Sequence, residues 1–90
     1  MKRTVITVVG KDSVGIIAKV CTYLAGKQIN ILNISQTIVD GFFNMMMITD
    51  MAECNSDFGT VVDEMEKLGE EINCIIKVQR EDIFDSMHRL

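Results

Sequence analysis

The stretch Val8-Val9-Gly10-Lys11-Asp12-Ser13-Val14-Gly15-Ile16-Ile17 holds the densest set of groups able to grip a ligand. A β-branched run from Thr4 to Val9 enters a loop carrying Gly10, Lys11, Asp12, Ser13 and Gly15. The chain then passes into apolar residues at helical spacing. A strand-to-helix turn of this kind leaves backbone N–H groups unbonded at the positive end of a helix dipole, which suits a carboxylate or phosphate. Asn30, in Gln28-Ile29-Asn30-Ile31, is a second polar marker at the start of another β-type run. Together these positions mark an edge for binding a small molecule. An ordinary strand-to-helix turn accounts for the same residues without a ligand. In that reading Gly10 and Gly15 serve turn geometry, Ser13 caps the helix, and Asn30 opens a strand.

Other chemistries fit the residue types poorly. Cys21, Cys54 and Cys74 are widely spaced, with no base or second ligand near any of them in sequence, so neither a metal site nor a reactive thiol is expected. Ser13 has no neighbouring histidine. The sole histidine, His88, falls in a C-terminal helical pattern, where a cation near the helix end is favoured. Met45-Met46-Met47 offers soft sulfur, but flexible thioethers are more simply read as packing. Phosphoryl chemistry needs an arginine beside the first loop, and the loop has only Lys11 as a cation. Base stacking needs aromatic residues on central strands; Phe43 alone makes no platform. No catalytic residue, metal or cofactor is assigned.

The elements that must position the loop read clearly. Thr4 to Val9 predicts a buried strand. Ile17, Val20, Cys21, Leu24 and Ala25 repeat as one face of a helix that stops near Gly26. Ile29 to Val39 predicts a second strand. Asp40-Gly41 is a two-residue hairpin signal leading to a third, Phe42 to Met51. Asn55, Ser56 and Asp57 open a second helix, with Phe58, Val61, Val62, Met65 and Leu68 on its apolar face and Asp63, Glu64, Glu66, Lys67, Glu70 and Glu71 on its solvated one. Cys74 to Val78 is a fourth strand. Ile83, Met87 and Leu90 mark a short final helix over about residues 81–89, with Asp82 as its cap. The order βαββαβ plus a C-terminal helix predicts an α+β, ferredoxin-like sandwich: a four-stranded antiparallel sheet with two helices on one face. Both faces of the first and third strands carry apolar residues, so the final helix or a second subunit is expected to cover the free face.

Ninety residues make one domain, with a core about 4–79. A chain this short buries a modest share of its surface, yet 48% of its residues are hydrophobic, which favours association. A net charge of −4 argues against nucleic acid and anionic membranes. No apolar run reaches the ~18–20 residues of a membrane span. With an odd number of cysteines and no signal-peptide pattern, the expected compartment is the cytoplasm.

On Gly10-Lys11-Asp12-Ser13-Val14-Gly15-Ile16-Ile17-Ala18, Leu24-Ala25 and Gln28-Ile29-Asn30-Ile31, the chain resembles the ACT domain, the ligand-binding regulatory module of amino-acid metabolism. The resemblance spans about residues 4–79, and the tail looks like that of small stand-alone bacterial ACT proteins. It implies a homodimer or higher homo-oligomer that binds an amino acid or related metabolite between subunits. The serine-binding ACT domain of phosphoglycerate dehydrogenase holds its ligand with a polar residue three positions before the glycine and an asparagine opening strand two. Those positions are Asp12 and Asn30 here. The implied ligand-binding set is Asp12, Ser13, Val14, Gly15, Ile16 and Asn30. Gly10 departs from the pattern by lacking a side chain, and Asp12 by carrying a charge. The rival expectation is a ligand-free interaction module docking on an enzyme or regulator.

Overall fold

The computed structural model describes residues 2–87. The elements are β1 (Arg3–Lys11), α1 (Ile16–Gly26), β2 (Asn30–Val39), β3 (Phe42–Asp50), α2 (Phe58–Ile72), β4 (Cys74–Arg80) and α3 (Glu81–Met87). The sheet order is β2-β3-β1-β4, with every neighbouring pair antiparallel. Each of the first two helices therefore carries the chain across one strand before it re-enters the sheet. This is the ferredoxin-like arrangement expected from the order of the elements.

Alternation decides the two faces. Ile6 and Val8 of β1, Phe43, Met45 and Met47 of β3, and Cys74, Ile76 and Val78 of β4 are buried together with Val20, Leu24, Val61 and Met65 of the helices. One methionine of the run, Met46, points to the opposite face and is exposed. On that face Val5 is buried, while Val9, Phe42 and Ile75 stay exposed. The final helix packs on β1 and β4 but leaves these residues uncovered. The expectations for His88 and Leu90 lie outside the described residues.

Two helix starts differ from their expected form. Ser13 is not the cap of α1. Gly15 takes that position with φ +91°, and no side chain caps the helix. The left-handed turn belongs to the glycine, so the hydroxyl two residues earlier stands outside the first turn. The buried face of α1 is Ile16, Val20 and Leu24, a rotation of the expected stripe that leaves Ile17 exposed. In α3, Asp82 lies within the first turn rather than at the cap, because the helix already begins at Glu81.

The start of α2 follows the sequence closely. Asp57 is its N-cap, accepting from the Thr60 N–H at 2.8 Å. The hairpin is also as expected: Asp40 at φ 52° and Gly41 at φ 80° match the turn that suits twisted strands. Between the helices lies a polar clamp. The Tyr23 hydroxyl donates to Glu64 at 2.7 Å, and the Lys27 ammonium meets both Glu64 and Ser56 at 3.1 Å. Burial first, then the Glu64 carboxylate, pushes the Tyr23 hydroxyl well above its ordinary pKa. The same hydroxyl holds Glu64 below the usual carboxylate value.

Cys74, at the start of β4, is pressed from two sides. A Cβ at Gly10 would meet the Asn73 carbonyl and Cys74 Sγ, each at 2.7 Å. A Cβ at Gly69 would meet the Cys74 carbonyl at 2.6 Å. Gly69→Ala should therefore cost about 1–3 kcal/mol through overpacking. Urea unfolding that gives an unchanged midpoint would contradict the close approach of α2 to β4.

The cap supplies a pH test. Its hydrogen bonds to Thr60 hold the Asp57 carboxyl below its ordinary pKa. A depressed folded-state pKa means the stabilisation is present above the unfolded value, about 3.9, and is lost as pH falls through the folded one. The stability gap between the wild type and Asp57→Ala should be constant at neutral pH and narrow below pH about 4. Chemical unfolding across that range checks it; a gap that widens in acid excludes the capping role.

Candidate functional site

The first loop is built at the hairpin end of the sheet. Lys11 closes β1 opposite Phe42, and the Asp12 N–H donates to the Gly41 carbonyl at 2.8 Å. That bond ties the loop to the β2–β3 turn. Asp12, Ser13 and Val14 are exposed beyond it, Val14 completely. The first helical bond runs from the Lys19 N–H to the Gly15 carbonyl at 2.9 Å. The N–H groups of Ile16, Ile17 and Ala18 precede it and have no carbonyl partner within the helix. Nothing lies within 4 Å of a Cβ built on Gly15, so space is open beside these donors. Ile16 is buried and offers only its backbone.

Gly10 has a packing reason. No side chain fits between it and Cys74, so this position makes no side-chain contact with a ligand.

Asn30 lies elsewhere. It pairs with Asp50, and Asp50 pairs with Arg3, which places it at the far end of β1 from Lys11. The strand between spans about 26 Å at the usual rise per residue. Within one chain the structure thus groups Asp12 to Ile16 and keeps Asn30 apart. The intervening β2 is an edge strand with no charged residue and no proline in its ten positions. Ile34 and Ile38 are exposed on the side where the helices pack on the other strands, and Leu32 sits at a bulge.

A cleft of about 720 Å³ opens at this far end, between the starts of β1 and α2 and the end of β4. Sequence reasoning singled out none of its basic residues. Arg3 and Arg80 come from opposite ends of the sequence, and only the β1–β4 register, with Thr4 opposite Arg80, brings them together. No group of three metal-ligating side chains occurs among the described residues.

This fold and this strand-to-helix loop define an ACT domain, and the model of that family matches residues 4–70. The chain belongs to the ACT domain family. Within it, the chain is similar to small UPF0237 proteins along its whole length. It is 57% identical over 90 residues to one from Bifidobacterium longum, covering 100% of both chains. It is 47% identical over 90 residues to one from Methanocaldococcus jannaschii, again covering 100% of both. An ACT domain protein from Streptococcus pneumoniae superimposes with a TM-score of 0.81 at 38% identity, over 93% of this chain and 94% of that one. A formyltetrahydrofolate deformylase from Pseudomonas syringae shares the fold at a TM-score of 0.81 and 22% identity; the match covers 88% of this chain and 27% of that enzyme. An ACT domain is a regulatory module, and this chain is of that kind. No helix among the described residues is long and apolar enough to cross a membrane.

Gly15→Ala tests the loop geometry. A left-handed φ costs an L-residue about 1–2 kcal/mol, with no clash to add here. Urea unfolding should show a loss of that size; an unchanged stability would show that Gly15 does not hold the turn.

Proposed function

We propose that the chain is a non-catalytic regulatory module that pairs with a second copy through β2 and binds an amino acid or related metabolite where the two chains meet. One observation carries the reading: the loop donors and Asn30 sit at opposite ends of a bare edge strand. Natural edge strands are usually guarded by charge, proline, bulges or cover; this one has a single bulge at Leu32 and, among the described residues, no charge, proline or cover along its length. Antiparallel pairing of two β2 strands about a two-fold axis would carry Asn30 of one chain toward the hairpin end of the other. The N–H groups at the start of α1 then suit the ligand's carboxylate. Asp12 suits its ammonium group, and Asn30 of the partner subunit completes the hydrogen bonding. Exposed Ile34, Ile38 and Leu32 give the pairing an apolar component. That ACT domains commonly bind small-molecule ligands and oligomerise supports this reading.

A thermal-shift screen of the twenty amino acids tests it. Ligand at about 100 times its Kd adds about 2.7 kcal/mol of stability. The shift should disappear in both Asp12→Ala and Asn30→Ala. Ile34→Lys combined with Ile38→Lys should convert a dimer to a monomer in sedimentation and abolish the shift as well. A shift that survives in the monomeric variant, or none with any amino acid, defeats the proposal.

A further inference from the structure

Within one chain the cleft lies at the opposite end of the sheet from the Asp12 loop, and its lining has a distinct chemistry. Its floor is apolar: Met51 is buried and Phe58 half-exposed. Its rim is charged. The carboxylates there already have partners in the chain. Asp57 accepts from Thr60 at 2.8 Å, Glu81 accepts from Arg3 Nε at 2.9 Å, and Asp82 lies 3.6 Å from Arg80 Nε. Arg3 is taken up by Glu81; the other two cations are less fully engaged. Among the described residues Lys2 has no ion pair through its ammonium group. Among the described residues Arg80, with five N–H donors, has one ion pair, at a distance beyond a hydrogen bond. The start of α2, a fifteen-residue helix, opens into the same wall. Asp57 occupies the Thr60 N–H there, and the N–H groups of Phe58 and Gly59 precede the first helical bond.

We infer that this cleft is a second binding site, for a small organic acid. Its carboxylate or phosphate group is held by Arg80, Lys2 and the start of α2, and its apolar body rests on Met51 and Phe58. The volume of about 720 Å³ falls in the range of small-molecule sites. Arg80 is the better anchor of the two cations, because its planar fork binds both oxygens of an acid group at once. The lining carries three cations, Lys2, Arg3 and Arg80, and three carboxylates, Asp57, Glu81 and Asp82, so in a chain of net charge −4 this charge-balanced place repels an organic acid less than most of the surface does.

Amide NMR titrations of the whole chain with phenylacetate, phenyl phosphate and inorganic phosphate test the site. At least one aromatic acid should give saturating shifts at Met51, Phe58, Gly59 and Glu81 while leaving Asp12 and Gly15 still. The two aromatic probes separate a carboxylate site from a phosphate site. Arg80→Gln should weaken binding by about tenfold or more, the loss of a hydrogen bond to a charged group, and Arg80→Lys should restore only part of it. Phe58→Ala should weaken the aromatic acids toward the affinity of inorganic phosphate. Asp12→Ala should change nothing, so the site stands or falls separately from the amino-acid site at the first loop. No saturable shift with either aromatic acid overturns the inference. So do shifts centred on the Asp12 loop, affinity unchanged in Arg80→Gln, or inorganic phosphate binding as tightly as the aromatic acids.

Discussion

The architecture turns on the entry of β4. Cys74 is held between Gly10 of β1 and Gly69 of α2, with no room for a methyl group on either side. This single squeeze sets how closely α2 lies on the sheet and where β4 begins beside β1. Cys74 is 9% exposed with its thiol 3.6 Å from the Ile72 carbonyl, and burial raises the thiol's pKa. Gly10 also launches the first loop. The residue that gives up its side chain to admit β4 is the one that hands the chain on to Lys11 and Asp12. Packing at one point and loop placement at the next are thus a single choice. Interiors packed near crystal density transmit such choices with little slack.

From this point the sheet acquires two unlike ends. The hairpin end is bound by backbone contacts and carries exposed Asp12 beside unbonded helix donors. The opposite end collects Arg3, Arg80 and Lys2, with Asp57, Glu81 and Asp82, around an apolar hollow. The polar clamp of Tyr23, Lys27 and Glu64 joins the end of α1 to α2 and keeps the two helices in step between them. Its members are partly exposed, so its contribution to stability is small and its role is chiefly one of geometry.

Much of this could be read from residue order. The alternation of Ile6 and Val8, the Asp40-Gly41 turn and the Asp57 cap are local signals, and each appears in the structure as its local chemistry dictates. The face of α1 was harder to read. Ile16 and Ile17 are equivalent by composition, and tertiary packing selects Ile16 for the core. Ser13 has the right side chain for a cap and the wrong place, because Gly15 alone adopts the left-handed turn. The candidate loop was legible because its residues are contiguous. The charged cleft was not, since Arg3 and Arg80 meet through strand register, a long-range property. The separation of Asn30 from Asp12 is of the same kind: short in sequence, long in space, and set by the whole length of α1 and the sheet beneath it.

The two outer strands of the sheet are unequal. One margin, β2, bears no charge at all; the other, β4, carries Lys77 and Arg80 and runs directly into a helix. Ladder growth across a row of molecules needs two permissive margins on each. A chain with one can join a single neighbour, like to like, after which only guarded strands face outward. The asymmetry makes any sheet extension self-terminating: a closed pair with eight strands, and no route to a fibre.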